Sequence, residues 1–169
     1  MNEPIVKPRT ALIWGWLSAL VIALDQFTKW AIVGRFQLYE IQTVGPYLDI
    51  TRLHNEGAAF GLLADAGGWQ RWFFLALAGA IGLAILWWLR SLPARGQSWL
   101  AIGLALILGG AVGNAWDRFI DGHVVDYLHI HWGEHFFPAF NVADIGITTG
   151  AAMLVIDAIL SHRRDKAAA

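Results

Sequence analysis

Two aspartates in the C-terminal half of the chain, Asp126 and Asp144, stand where they could perform hydrolytic chemistry. Asp126 lies inside the alternating run Val124–Trp132. Asp144 closes the stretch Phe140-Asn141-Val142-Ala143-Asp144, directly ahead of a long apolar run. Two carboxyl groups held at hydrogen-bond distance share one proton, because like charges that close cannot both ionise. The ionised member can take a proton from water as the water attacks a carbonyl. The protonated member can donate to the carbonyl oxygen and later to the leaving nitrogen. An architectural reading competes with this one. Asn141 is suited to cap a helix, and Asp144, three residues on, to reach back to free amides as in a capping box, where the helix dipole favours negative charge. Spacing alone leaves both readings open.

A second constellation, His131-Trp132-Gly133-Glu134-His135, has the letters of the H-x-x-E-H zinc-peptidase pattern. That pattern needs a helix, since only i, i+4 spacing stacks two imidazoles on one face. Here Trp and Gly occupy the centre, a strand-like alternation precedes it and Phe136-Phe137-Pro138 follows. Interfacial loop histidines are the better expectation, with no metal and no cofactor. The chain has no cysteine, so thiol nucleophiles, thiolate metal sites and disulfides are excluded.

The elements that must position these groups are set by composition. Of 169 residues, 57% are hydrophobic and only 15% charged, against roughly 25% charged in soluble domains. Mean hydropathy is +0.49. The net charge of −1 gives no basic face for nucleic acid. We expect a single polytopic membrane domain over 1–169, all-α, with spans at about 11–34, 69–90, 98–117 and 142–161. Each is close to the ~20 residues that cross a hydrocarbon core. The first is too long for a cleaved signal peptide and meets Asp25-Gln26-Phe27-Thr28-Lys29 where a small-residue cleavage site would stand.

Basic residues before the first span, between the second and third, and after the fourth place both termini in the cytoplasm by the positive-inside rule. Trp14, Trp16, Trp87, Trp88 and Trp99 then fall at the inner interface, and Trp30, Trp69 and Trp116 at the outer one. The outer segments are 35–68 and 118–141. Two short strands around Gly45-Pro46 and the alternating run Val124–Trp132 predict a small extracytoplasmic β-platform, and "AAFGLLADAGG" a short interfacial helix. Asp126 and Asp144 both fall at the outer boundary. The four serines, Ser18, Ser91, Ser98 and Ser161, lie in mid-span or near the cytoplasm, away from the outer histidines, which argues against a Ser/His hydrolase.

Polar residues inside spans are costly and are usually functional or paired. Asp25 lies ~20 Å into the first helix at 1.5 Å per residue, and Lys29 is in the favourable acid-first i, i+4 position for an ion pair. A structural role for that pair is favoured over direct chemistry. Asn114 and Arg118 are one turn apart on the third helix, where Arg118 could clamp a carbonyl or lipid phosphate, or simply snorkel. Gly109 and Gly113 mark close helix packing, and Asp157 is interfacial.

With these residues in view, the chain resembles the lipoprotein signal peptidases (signal peptidase II), an intramembrane aspartic peptidase family of bacteria. Asp25-Gln26-Phe27-Thr28-Lys29 fits D-Q-x-[ST]-K, and Asn55-Glu56-Gly57-Ala58-Ala59-Phe60 fits N-x-G-A-A-F. The run Gly109 to Arg118 fits G-G-A-x-G-N-x-x-D-R. Val124-Val125-Asp126-Tyr127 and Phe140-Asn141-Val142-Ala143-Asp144 fit the two motifs that carry the family's catalytic aspartates. The resemblance implies that Asp126 and Asp144 are the catalytic dyad. It implies that Asn55, Gly57, Asn114, Arg118 and Asn141 line the site, and that Asp25 and Lys29 support it. It further implies a bacterial inner-membrane enzyme with its active site at the periplasmic face. Its substrate would be a diacylglyceryl-modified prolipoprotein, cleaved just before the lipidated cysteine. Membrane lipid and globomycin-type inhibitors are the other expected partners, and a monomer is expected. The outer platform and the 55–60 stretch would close over the substrate. The rival readings are a small polytopic transporter or proton-handling protein using the same acids as a relay, and a non-enzymatic assembly factor. Against the relay, the carboxylates gather at one face and leave no polar trail across the core.

Overall fold

The computed structural model describes residues 10–57 and 67–168. A single 3-10 turn, Ala11–Trp14, leads into α1 (Gly15–Arg35), followed by strands β1 (Ile41–Gly45) and β2 (Leu48–Asn55). Helices α2 (Trp69–Ser91) and α3 (Ser98–Ile120) come next, then β3 (Val124–Trp132), β4 (His135–Phe136) and α4 (Val142–Ala168). The chain has four helices long and apolar enough to cross a membrane, within a residue or two of the expected spans at most ends. The larger difference is α4, which runs on through the charged tail. The expected interfacial helix at 58–68 lies almost wholly outside the described residues.

α3 is the hub, packed against α1, α2 and α4. Its glycines explain why. A methyl group on Gly109 would lie 2.8 Å from the Ser18 carbonyl and from Val21 Cβ of α1. One on Gly113 would lie 2.7 Å from Asp25 Oδ2. On the α4 side, a Cβ on Gly110 would collide with the Ala143 carbonyl, and one on Gly103 would lie 2.7 Å from the Leu154 side chain. In a bilayer, where apolar side chains gain nothing by leaving lipid, such close backbone approach lets dispersion hold helices together. The expected packing role of Gly109 and Gly113 is thus met. The opposite faces are apolar and exposed, as a lipid-facing surface requires. Trp30, Leu83 and Trp87 are each at least 70% accessible.

The four strands form one antiparallel sheet in the order β1-β2-β3-β4. Leu53 pairs with Asp126 and Asn55 with Val124, so the ends of two strands converge near the helix tips. Arg52 fastens the sheet to α1 by donating to the Val33 and Phe36 carbonyls, two of the acceptors a helix C-terminus leaves free. Tyr127, on the face of β3 opposite Asp126, donates to Thr28 Oγ1 of α1 at 2.7 Å. The expected small sheet is therefore present, with the short β4 added to the three runs foreseen. His131 and His135 lie on β3 and β4, which pair as a hairpin through Gly133 at φ 59, instead of in a loop. The H-x-x-E-H window is not helical, and His131 faces Asp49 at 3.5 Å.

Candidate active site

Asn141 is where the two aspartates come together. It caps α4 in a reciprocal box. Its Oδ1 accepts from the Asp144 N–H at 2.9 Å, and Asp144 Oδ2 accepts from the Asn141 N–H at 3.1 Å. The Asn141 amide nitrogen also donates to Asp126 Oδ1 at 2.7 Å. One fully buried residue therefore starts the helix that carries Asp144 and holds the strand that carries Asp126. No hydrogen bond runs directly between the two carboxyl groups, contrary to the simplest shared-proton arrangement. Asn141 bridges them because each sits on a different element and the amide fills the space between.

The remaining carboxylate oxygens are also bound. Asn55 Nδ2 donates to Asp126 Oδ2 at 2.9 Å, and Asn114 Nδ2 to Asp144 Oδ1 at 2.8 Å. The orientation of the Asn114 amide follows from its other neighbour. Lys29 Nζ, which can only donate, sits 3.0 Å from Asn114 Oδ1, so the amide nitrogen must face Asp144. Burial pushes the Asp126 carboxyl up to about 7, helped by the negative charge of Asp144 and opposed by the bonds from Asn55 and Asn141.

Beneath the aspartates lies a buried ionic cluster. Lys29 bridges Asp25 at 2.8 Å and Asp117 at 2.7 Å, which bears out the expected Asp25–Lys29 pair and adds a second carboxylate. Asp25 does more than balance charge. Its Oδ1 accepts from the Ala143 N–H at 2.9 Å, a second cap on the start of α4. Asp117 accepts from Gln26 at 2.7 Å and from the Val125 N–H at 3.4 Å, beside Asp126. Sequence reasoning passed over Asp117 and Gln26 as individuals, although both stand within the motifs. Gln26 stands i, i+3 to Lys29 on one helix, but Asp117 meets both only across helices, where no local spacing signals it.

Arg118 is buried and does not snorkel. It donates to the Gly57 carbonyl at 2.6 Å and lies over the Phe74 ring at 4.7 Å. The Gly57 N–H in turn donates to Asn55 Oδ1 at 3.0 Å, so α3 fixes the turn that aims Asn55 at Asp126. The other residues of the N-x-G-A-A-F motif, from Ala58 on, lie outside the described residues. An apolar recess of about 320 Å³, lined by Phe137, Phe140, Ile145 and Thr148, opens beside Asp144. Asp157 is remote from this site, on the last turns of α4. Among the described residues there is no group of three or more His, Asp or Glu placed to hold a metal ion.

A four-helix membrane protein with two bridged carboxyl groups where its bundle meets a small sheet belongs to the membrane-embedded enzymes in architecture. A solved bacterial membrane enzyme structure, obtained by the in meso method, superposes with a TM-score of 0.76 at 25% identity, covering 95% of this chain and 96% of that one. The lipoprotein signal peptidase of Pseudomonas putida is 46% identical over 98% of this chain and 97% of its own length. That of Pseudomonas aeruginosa is 45% identical over 93% of this chain and 94% of its own. The family model described as signal peptidase (SPase) II matches residues 17–160. The chain belongs to the signal peptidase II family and is a peptidase.

Proposed function

We propose that this protein is an aspartic endopeptidase that removes signal peptides from diacylglyceryl-modified prolipoproteins in the bacterial inner membrane. Cleavage would fall just before the lipidated cysteine, at the periplasmic face. The observation that carries this reading is the bridged pair Asp126–Asn141–Asp144, held at one end of the bundle. Lipid on the substrate cysteine keeps its acyl chains in the outer leaflet, so the scissile bond is presented at the depth where this pair lies. The apolar recess beside Asp144 supplies a wall for the substrate.

Asp126, with its carboxyl pushed up to about 7, holds the proton at the start of the reaction. Asp144 is the ionised partner, at a helix N-terminus whose dipole favours an anion. Water, activated by Asp144, attacks the scissile carbonyl while Asp126 donates to the carbonyl oxygen. The proton gained by Asp144 then passes to the leaving nitrogen. Asn55, Asn114 and Asn141 keep both carboxyls aimed, and Arg118 and Gly57 hold Asn55 in place. Globomycin-type inhibitors would compete for the same groove, and one protomer contains every group named. The transporter alternative has no support from the family match.

The test is cleavage of a diacylglyceryl-modified prolipoprotein by the purified protein in detergent with a chelator present. Wild type should cleave. Asp126→Asn and Asp144→Asn should each lose at least roughly 10²–10⁴-fold, the range of general acid–base contributions. Asp144→Asn keeps an amide oxygen for the capping box but loses the bond from Asn114, so its melting temperature is measured beside its activity to separate lost chemistry from lost fold. An active Asp144→Asn variant would reduce Asp144 to a cap and sink the proposal, and activity lost with chelator would point to metal chemistry.

A further inference from the structure

We propose that the groove between the outer half of α1 and the sheet binds one phospholipid with an amine-bearing headgroup. The groove has a volume of about 520 Å³ and is separate from the aspartate site, on the other side of β3. Phe27 and Ile32 line its apolar part, Thr28 and Tyr127 close its back, and Arg35 and Glu40 complete it.

Three observations say what fills it. The first is depth. From Phe27 to Arg35 the helix rises ~12 Å at 1.5 Å per residue, so the groove passes from acyl-chain depth to the headgroup level at the end of a span. The second is that this side of α1 is built to face lipid, with Phe27 63% and Trp30 73% exposed. The third is charge. Arg35 and Glu40 line the same groove yet form no salt bridge, and Arg35 has no hydrogen-bond or ion-pair partner among the described residues. The carbonyls that Arg35 could cap are already held by Arg52. One Glu40 oxygen accepts from the Gln37 N–H at 2.7 Å, which leaves the other free. A guanidinium without a partner and a carboxylate with one free oxygen, both lining one partly apolar groove, match a headgroup that carries phosphate and ammonium together. Guanidinium binds phosphate through paired N–H donors, and the carboxylate accepts from the ammonium. An anionic lipid would satisfy Arg35 but leave Glu40 facing like charge.

The inference does not depend on the peptidase reading. It is tested by native mass spectrometry of the full-length protein released from detergent with equimolar phosphatidylethanolamine and phosphatidylglycerol of identical acyl chains. Wild type should retain one phosphatidylethanolamine in preference. Arg35→Ala should weaken retention of both lipids about fivefold, the weight of one basic residue against a lipid surface, and Glu40→Gln should abolish the preference between them. Equal retention of both lipids by wild type, or unchanged retention and preference in the double variant, would overturn the proposal. A second measurement uses wild type alone. A photoreactive phosphatidylethanolamine should label peptides spanning 27–42, whereas labelling spread evenly over the lipid-facing helices would refute the site. Displacement of that label by the diacylglyceryl substrate would reassign the groove to the substrate's own chains, and that too would overturn it.

Discussion

Asp126 titrates near neutrality in the folded protein because its burial opposes the charged form, and this couples its proton to stability. The folded value, about 7, lies above the ordinary 3.8. The folded state therefore binds the proton more tightly than the unfolded one. The contribution of Asp126 is most favourable below about 3.8, declines as pH rises towards 7 and is flat above it. The loss is at most roughly 4 kcal/mol. Melting in detergent should show wild type falling across that window more steeply than Asp126→Asn. The replacement amide offers one acceptor where two N–H donors arrive, so its gain at pH 8 should be partial. Equal slopes would mean that Asp126 is ionised throughout. Lys29 sets a second expectation at this scale. Removing it leaves Asp25 and Asp117 buried without their counter-ion, which costs about 3–5 kcal/mol. Lys29→Met should melt correspondingly lower, and adding Asp25→Asn and Asp117→Asn should recover part of the loss.

The elements meet through α3, and its glycines decide how closely. Gly110 lets the α4 backbone come near enough for Asn114 to reach Asp144. Gly110→Ala forces the helices apart, so it should lower both the melting temperature and the peptidase activity, the latter by roughly 10²-fold for a displacement of about 1 Å. A methyl group added to Gly79 on α2 would meet nothing within 4 Å. Gly79→Ala should leave activity intact and gain up to about 1 kcal/mol from helix propensity. Similar losses in both variants would show that α3–α4 contact is not what aligns the site. The capping box belongs to the same scale. Asn141 and Asp144 were legible as cap and partner from their spacing, and in the structure the capping residue, Asn141, also ties the two aspartates into one unit.

The whole molecule adds orientation. By the positive-inside rule, the charges flanking the spans predict both termini in the cytoplasm and the sheet outside. The chain lacks cysteine, so single introduced thiols report on sidedness without background. In intact spheroplasts a membrane-impermeant thiol reagent should modify Thr43→Cys, on exposed β1, and spare Ser161→Cys until the membrane is opened. The reverse pattern would invert the topology and move the aspartates to the cytoplasmic face.

The sequence by itself determined the four spans, because an apolar stretch of that length has no other stable place, and the strand around Asp126, because its alternation matches the pleat. It determined the Asn141–Asp144 cap and the Asp25–Lys29 pair, since both are local and fixed by helical periodicity. Tertiary structure alone decided the rest. Asn55, Asn114 and Asn141 stand on β2, on α3 and at the start of α4, and only the packing of sheet on bundle brings their amides to the carboxylates. Asp117 joins Lys29, and Asp25 caps a helix 118 residues away, because a buried charge must find whatever partner the fold places beside it. The β4 hairpin also escaped the sequence. Two residues folding back on the strand just before them leave no period to read.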